Sequence, residues 1–429
     1  MIRIFLPAAI IVLVAAVFYF RPSDEGRPYD PYFESLNREL RSGPHAHPVL
    51  VLDLDLLDQN IHTLMNHIGD PARYRMVAKS LPCLKLIAYI SGKTGTNKVM
   101  VFHQPFINLM AERLPGLNML LGKPMPVGAV RTFYSNLEDG APFDPASQIQ
   151  WLLDSEDRLI QYLAFAREKG IKLSVNIEID VGLRRGGLRD TGELDRMLAI
   201  IRDNPDNLSF TGFMGYEAHI SKAPALLSSQ NKELEKVINT YAHFVAHGRK
   251  NFPDLYNKEL TFNSAGSTTY QLYNDIHLIN DLSVGSGLVK PADFDVPNLA
   301  DHVPAFFIAA PVLKKSPGLR IPYIEFLSSF WGMVNPNWKM THFIYGGYWK
   351  AVHHQPPGMR KNAIYGRSSN QEIVTSSPGT ALSVDDFIFL RPTQSEAVML
   401  QFGDILVLRG GKVVDQWPVF SSNIDRSCR

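Results

Sequence analysis

From Pro48 to about residue 300 the sequence keeps a regular beat, a short aliphatic run followed by apolar residues at helical spacing. "PVLVLDLDLLDQNIHTL" opens it, with a β-branched and aliphatic run and then Leu57, Ile61, Leu64 and Ile68 on one helical face. Further strand-like runs begin near Arg75, Val99, Asn118, Ile149, Lys172, Leu208 and Leu260, and helical periodicity fills longer intervals such as 154–168 and 234–252. Eight strands alternating with helices predict a (β/α)₈ TIM-type barrel over residues 48–303, with a doubly wound sheet as the alternative.

Near Pro304 the beat stops. Proline, glycine and aromatic residues become dense, and short runs such as "DDFIFL" and "GDILVLRGGKVVDQWPVF" predict a mainly β C-terminal domain over 304–429. Within it, Arg409-Gly410-Gly411-Lys412 reads as a hairpin turn. No internal repeat or low-complexity tract is evident.

The other end of the chain differs from both. An uncharged run from Ile4 to Phe20 approaches the length that crosses a bilayer, and the bulky Val17, Phe18, Tyr19 and Phe20 at its exit suit an uncleaved anchor better than a cleaved signal. Residues 1–24 are therefore expected to be a membrane-anchor helix and 25–47 a linker, with the remainder on the periplasmic or extracytoplasmic side. Arg3 before the run and Arg21 and Arg27 after it barely discriminate orientation. A formal charge of +1, from Lys+Arg 43 against Asp+Glu 42, argues against a nucleic-acid partner. The two cysteines, Cys83 and Cys428, form neither a disulfide framework nor a metal knuckle.

In a barrel, chemistry collects where strands end. Lys79 in "RYRMVAKSLP" ends the second run, "NIEIDVGLRRGG" ends the sixth with Arg185, and "GFMGYEAHI" ends the seventh with Tyr216 and His219. "FNSAGSTTY" and "SVGSG" supply Ser264, Gly266, Ser267, Thr268, Gly285 and Ser286, whose amides and hydroxyls could receive a phosphate. Each feature has an ordinary reading. A lysine at a strand end snorkels, Gly/Ser loops are turns, Arg185 makes a surface ion pair and His219 is an interior histidine.

Taken in order, Lys79, "DVGLRRGG", "GYEAH", "SAGSTT" and "VGSG" resemble the fold-type III pyridoxal-phosphate enzymes of the alanine-racemase N-terminal superfamily. Within it the chain looks most like the D-serine dehydratase and D-threonine aldolase family, from about Pro48 to Phe420. The resemblance implies pyridoxal 5'-phosphate as cofactor and an amino acid as substrate. It makes Lys79 the lysine that carries the cofactor as an imine and then acts as base at Cα. It places Arg185 at the ring's phenolic oxygen, Tyr216 and His219 beside the ring, and Ser264, Gly266, Ser267, Thr268, Gly285 and Ser286 at the phosphate. A homodimer is a further expectation. Such a lysine reacts when neutral, which an apolar strand end beside Arg185 would favour.

The resemblance fails at one point. The family's "P-x-H-x-C" or "P-x-H-x-D" metal motif reads here Pro392, Thr393, Gln394, Ser395, Glu396, and its upstream "E-H-G" reads Glu372-Ile373-Val374. Both histidines are replaced, so no metal site is expected. Glu396 is left as one hard ligand, with His353 and His354 as substitutes if not simply a solvated loop pair. The expected function is a D-serine dehydratase/D-threonine aldolase-like lyase independent of that metal. The alternatives are an amino-acid racemase or epimerase and a non-catalytic membrane-tethered cofactor- or ligand-binding protein.

Overall fold

The computed structural model describes residues 19–138, 140–224, 228–256 and 259–421. The chain divides into two units.

The larger unit runs from Leu56 to Val303, with Met399–Gly403 and the chain from Trp417 on. Its centre is a closed barrel of parallel strands: β2 (Tyr74–Val77), β3 (Lys98–Val101), β4 (Asn118–Leu121), β5 (Ile149–Leu153), β6 (Leu173–Glu178), β7 (Leu208–Met214), β8 (Thr261–Ser264) and β9 (Asp281–Val284). Nearly every strand residue is buried, as expected where helices cover the outside of a parallel sheet. Helices such as Leu84–Thr94 and Glu156–Lys169 end at Gly95 and Gly170, each in the left-handed region that lets a glycine stop a helix. The seam closes between β2 and β9, with Tyr74 opposite Leu282 and Met76 opposite Val284.

A charge pair lies inside that seam. Arg75 is fully buried and reaches Asp281 with two bonds, Nε to Oδ1 at 2.7 Å and Nη2 to Oδ2 at 2.9 Å. Asn263 Nδ2 donates to Asp281 Oδ1 at 2.6 Å, and Lys98 Nζ stands 3.3 Å from Oδ2. Burial pushes the Asp281 carboxyl up, but Arg75, Lys98 and Asn263 together hold it below the usual carboxylate range.

The smaller unit comprises residues up to Asp55, Pro304–Val398 and Asp404–Gln416. Its sheet runs β13 (Arg360–Lys361), β14 (Gln371–Ser376), β11 (Met340–Tyr345), β10 (Phe306–Pro317), β1 (Val49–Asp53), β16 (Asp404–Arg409) and β17 (Lys412–Pro418). β15 (Phe387–Pro392) pairs with both β10 and β12 (Ala351–Gln355). A register shift between Val312 and Lys314 lets the long β10 serve β1 and β15 with its first half and β11 with its second. The expected hairpin joins β16 to β17, with Gly410 at φ 58° and Gly411 at φ 72°, the pair of positive values a two-residue turn requires.

Three expectations are corrected. The run Val49–Asp53 is not a barrel strand. It pairs antiparallel with β10 and parallel with β16, and the barrel's eighth strand is Asp281–Val284. Lys79 accordingly ends the first barrel strand, not the second. The segment expected as linker contains the helix Pro31–Ser42, capped by Asp30 accepting from the Phe33 amide. Asn37 fastens that helix to the sheet, its Nδ2 donating to Asp386 and its Oδ1 accepting from the Phe387 amide. His353 and His354 are not a solvated loop pair, because both stand on β12. His354 stacks on Phe307 at 5.8 Å between ring centroids and meets Phe33 at 5.3 Å.

The expected anchor falls almost wholly outside the described residues, and among the described residues no helix is long and apolar enough to cross a membrane.

Candidate active site

Lys79 lies in the single turn Ala78–Ser80 that follows β2. It is exposed, with Nζ 5.1 Å from the ring centroid of Phe102 at the end of β3. The apolar burial expected for this lysine is therefore absent in this structure, and Phe102 is its aromatic neighbour. Next to it, Ser80 and Ser286 are buried with their hydroxyls 2.9 Å apart, which ties the turn carrying Lys79 to the loop after β9. That loop also needs glycine at 285, where a Cβ would come within 2.8 Å of Val77 Cβ and 2.9 Å of Val77 O.

Ser267 joins the second loop to the first. Its Oγ accepts from the amides of Gly285 at 3.3 Å and Gly287 at 2.9 Å. The amides of Ser267, Thr268 and Ser286 are left without an internal acceptor among the described residues. Buried backbone donors are nearly always paired, so unpaired amides at the buried Ser267 and Ser286 and the half-buried Thr268, in two touching loops, could receive an anion. Gly266 belongs to the same surface, since a Cβ there would stand 3.1 Å from the Tyr216 ring. Tyr216 in turn carries the Arg185 guanidinium 4.9 Å from its ring centroid. His219 faces Gly182, where a Cβ would be 3.1 Å from Nε2, and its buried Nδ1 has no hydrogen-bond partner among the described residues. The barrel thus brings Lys79, Arg185, Tyr216, Gly266, Ser267, Gly285 and Ser286 into one chain of contacts, and sets His219 beside the loop that carries Arg185.

Ser264 departs from the part expected of it. It is buried, with Oγ 2.7 Å from Gly215 O and 2.9 Å from Glu217 Oε2, so its hydroxyl braces the loop from within. Glu217 is the centre of that bracing. Fully buried, it accepts from the Thr269 hydroxyl at 2.6 Å and the Ala265 amide at 3.1 Å. Burial pushes its carboxyl up, against those hydrogen bonds.

A second carboxyl also went unnoticed in the sequence. Glu178 ends β6, and a Cβ on Gly186 would lie 3.5 Å from its Oε2. Burial, aided by Asp154, pushes it up to about 7 against the pull of Arg185. Asp180, two residues on, goes the other way. Its burial is outweighed by the amides of Gly182 and Arg184 and by the Arg184 guanidinium. The signal for both glutamates was present, as each carboxylate stands among apolar residues where a strand ends, Glu178 in "NIEID" and Glu217 in "GYEAH".

The sign of the Glu178 effect is testable. A carboxyl raised from its ordinary value near 4.5 to about 7 stabilises the fold below pH 4.5 relative to higher pH, and that contribution is lost as pH rises through 7. Glu178→Gln should therefore be more stable than the parent at pH 8, by about 3 kcal/mol, with the gap closing below about pH 4. Urea denaturation across pH reads this, and parallel curves for the two proteins would refute it.

With this geometry in view, the alanine racemase N-terminal domain family matches residues 52–291. The chain belongs to that family. Members of the alanine racemase N-terminal domain family depend on pyridoxal 5'-phosphate.

Solved structures agree on the fold. A D-threonine aldolase from Filomicrobium marinum superposes with TM-score 0.66 at 17% identity, covering 87% of this chain and 96% of that one. The D-threo-3-hydroxyaspartate dehydratase from Delftia sp. HT23 gives 0.64 at 15%, covering 87% and 97%. The alanine racemase from Bacillus anthracis with bound L-Ala-P gives 0.64 at 13%, again covering 87% and 97%. No curated protein matches the chain by sequence.

The residues present fit the family's cofactor. Three unpaired amides suit a phosphate, and the turn that carries Lys79 is tied through Ser80 to the loop of Ser286.

In the smaller unit, the positions of the altered metal motif are taken up by the protein's own charges. Lys350 Nζ donates to Gln394 Oε1. Glu372, on β14, stands 2.6 Å from Arg367 Nε and accepts from the Tyr348 amide at 2.8 Å. Burial lowers His353 to about 4, with Arg367 and Lys361 adding to it. Among the described residues no group of three His, Cys, Asp or Glu side chains is placed to hold a metal ion.

Proposed function

We propose that this protein is a pyridoxal-phosphate-dependent lyase of the D-threonine aldolase and dehydratase kind, acting on an amino acid without that group's metal. It is held at a membrane by residues 4–20 with both units on the extracytoplasmic side, and it pairs as a homodimer. The observation that carries the enzyme reading is the junction of Lys79 with the two loops through Ser80, Ser286 and Ser267. When bound, the cofactor supplies an electron sink for the bond broken at the substrate's Cα.

The protein's part follows from its own groups. The amides of Ser267, Thr268 and Ser286, with the Thr268 hydroxyl, would hold the phosphate. Glu217 keeps their loop in shape through Ser264, Ala265 and Thr269. Arg185, stacked on Tyr216, would hold the ring's phenolic oxygen, and His219 would flank the ring. Lys79 Nζ carries the proton to and from Cα, with Phe102 bounding one side of its path.

Incubating purified protein with D- and L-amino acids and assaying for keto acid, aldehyde or inverted enantiomer tests the class. Keto acid or aldehyde supports a lyase, and inversion alone makes the protein a racemase.

Metal independence rests on Lys350, whose ammonium at Gln394 would oppose a divalent cation, and on Glu372, already matched by Arg367. Activity should survive EDTA with less than about a twofold loss, whereas an enzyme relying on a metal Lewis acid loses far more. The purified protein should also carry well under one zinc or manganese per chain by elemental analysis. Stoichiometric metal whose removal abolishes turnover would overturn this reading and direct attention to Glu396.

A further inference from the structure

The residues just after the N-terminal apolar run are fastened at one place in the smaller unit. Asn337, almost fully buried, donates from Nδ2 to Ser23 O at 2.9 Å and accepts at Oδ1 from the Glu25 amide at 3.0 Å. Arg360 Nε donates to Glu25 at 3.1 Å. At Gly26 a Cβ would lie 2.1 Å from Ser377 Oγ, so the chain there is threaded tightly against its neighbours. Phe20 is three residues before Ser23, and three residues reach at most about 10 Å. The end of the run Ile4–Phe20 is thereby held close to Asn337.

Asn337 closes a segment with an unusual surface. It lies in the turn Pro336–Trp338, just after the helix Ser328–Val334 and the turn Glu325–Leu327. Tyr323 is 96% exposed, Phe326 80%, Phe330 44% and Met333 53%. Phe326, Phe330 and Met333 are spaced four and three apart, so they share one side. The Tyr365 hydroxyl donates to Arg320 O at 2.6 Å, which brings the exposed Ile364 and Tyr365 alongside. Around them Arg320, Lys339 and Lys361 are exposed cations, Arg360 being paired with Glu25, and the Lys339 methylenes lie over the helix at Gly332.

Aromatic side chains ringed by cations are what the boundary between headgroups and acyl chains accepts, and soluble proteins seldom expose such a set. The occupant follows from continuity, because the apolar run is held within reach of this patch. We propose that residues 320–334 form an interfacial membrane contact. Tyr323, Phe326, Phe330 and Met333 dip into the same bilayer that receives residues 4–20, and Arg320, Lys339 and Lys361 meet anionic headgroups. The proposal deepens the anchor reading and rests on it.

The test uses the full chain with Cys428→Ser, Cys83 being buried. Phe326→Cys, Phe330→Cys and, as a control on a barrel helix, Ile160→Cys are each labelled with an environment-sensitive fluorophore. Each protein is reconstituted in phosphatidylcholine vesicles containing phosphatidylglycerol and nitroxide-labelled lipid. All three should float with the vesicles. Quenching at 326 and 330 should exceed that at 160 by at least about twofold, as interfacial depth requires. Flotation with equal quenching at all three sites overturns the contact and leaves the anchor standing. Labels shielded from lipid yet cross-linking between copies would assign the face to a second chain, which also overturns the contact. A chain that does not float overturns anchor and contact together.

Discussion

Lys79→Ala, reconstituted with pyridoxal phosphate, should lack the visible absorption band of lysine-bound cofactor and should turn over substrate at least about a thousandfold more slowly than the parent. The size follows from the two tasks one amine performs. In the proposed function it attaches the cofactor and is the proton carrier at Cα. The proposed function predicts a separation between these losses and cofactor affinity, because it gives the phosphate to the amides of Ser267, Thr268 and Ser286 rather than to Lys79. The variant should still take up cofactor, detected by quenching of tryptophan emission, while showing no band. Borohydride reduction of the parent followed by peptide mapping should place the label on Lys79. A band that persists in Lys79→Ala would move the attachment to another lysine and remove the basis of the proposed function.

Asp281→Asn should cost about 3 to 5 kcal/mol of stability, read as a shift in the urea midpoint. The substitution leaves the Arg75 guanidinium fully buried without its counter-charge, at the seam where β2 and β9 close the barrel. Total stabilities are only about 5 to 15 kcal/mol, so a loss of this size is severe. Replacing both partners by apolar residues of similar volume, Arg75→Met with Asp281→Leu, should restore much of it, since no charge is then stranded. The same pair governs acid sensitivity. Asp281 is held below the usual carboxylate range, so its contribution is present above about pH 4 and is lost as pH falls through its lowered value. The Asp281→Asn protein should lose less further stability than the parent over that acid interval.

Much of the barrel could be read from the sequence because its signal is local. An apolar run followed by helical spacing looks the same wherever the strand is placed, which explains both the success and the one error of membership. Val49–Asp53 is as aliphatic as any barrel strand, and its partners, around Phe307 and Leu406, are hundreds of residues away, where no periodicity reaches. The turn at Gly410 and Gly411 was legible for the opposite reason, since two glycines between apolar runs state their own backbone demand. Lys79 and the two loops were singled out by their order along the chain.

Glu217 and Glu178 were missed because their roles come from burial and from neighbours that fold in from other strands. The helix Pro31–Ser42 had a usable sign, Asp30 before Pro31 with Glu34 in the first turn. It was hidden by the assumption that a polar stretch after an apolar run must be a linker.

The pairing of β1 carries a consequence for how the molecule is made. Leu50 pairs with Ile405 and Asp53 with Leu408, so a strand synthesised early acquires its parallel neighbour only when nearly the whole chain is finished. The barrel strands, by contrast, are all complete by Val284 and pair mostly with neighbours in sequence. During synthesis the barrel can therefore close while β1 still offers an open edge. The smaller unit is the late, slow and aggregation-prone step of folding, because distant contacts must wait for their partners. A chain ending at residue 303 and released from the ribosome, with its last barrel strand Asp281–Val284 free to pair, should already protect the barrel from protease while the segment from residue 19 to Asp53 remains cleavable.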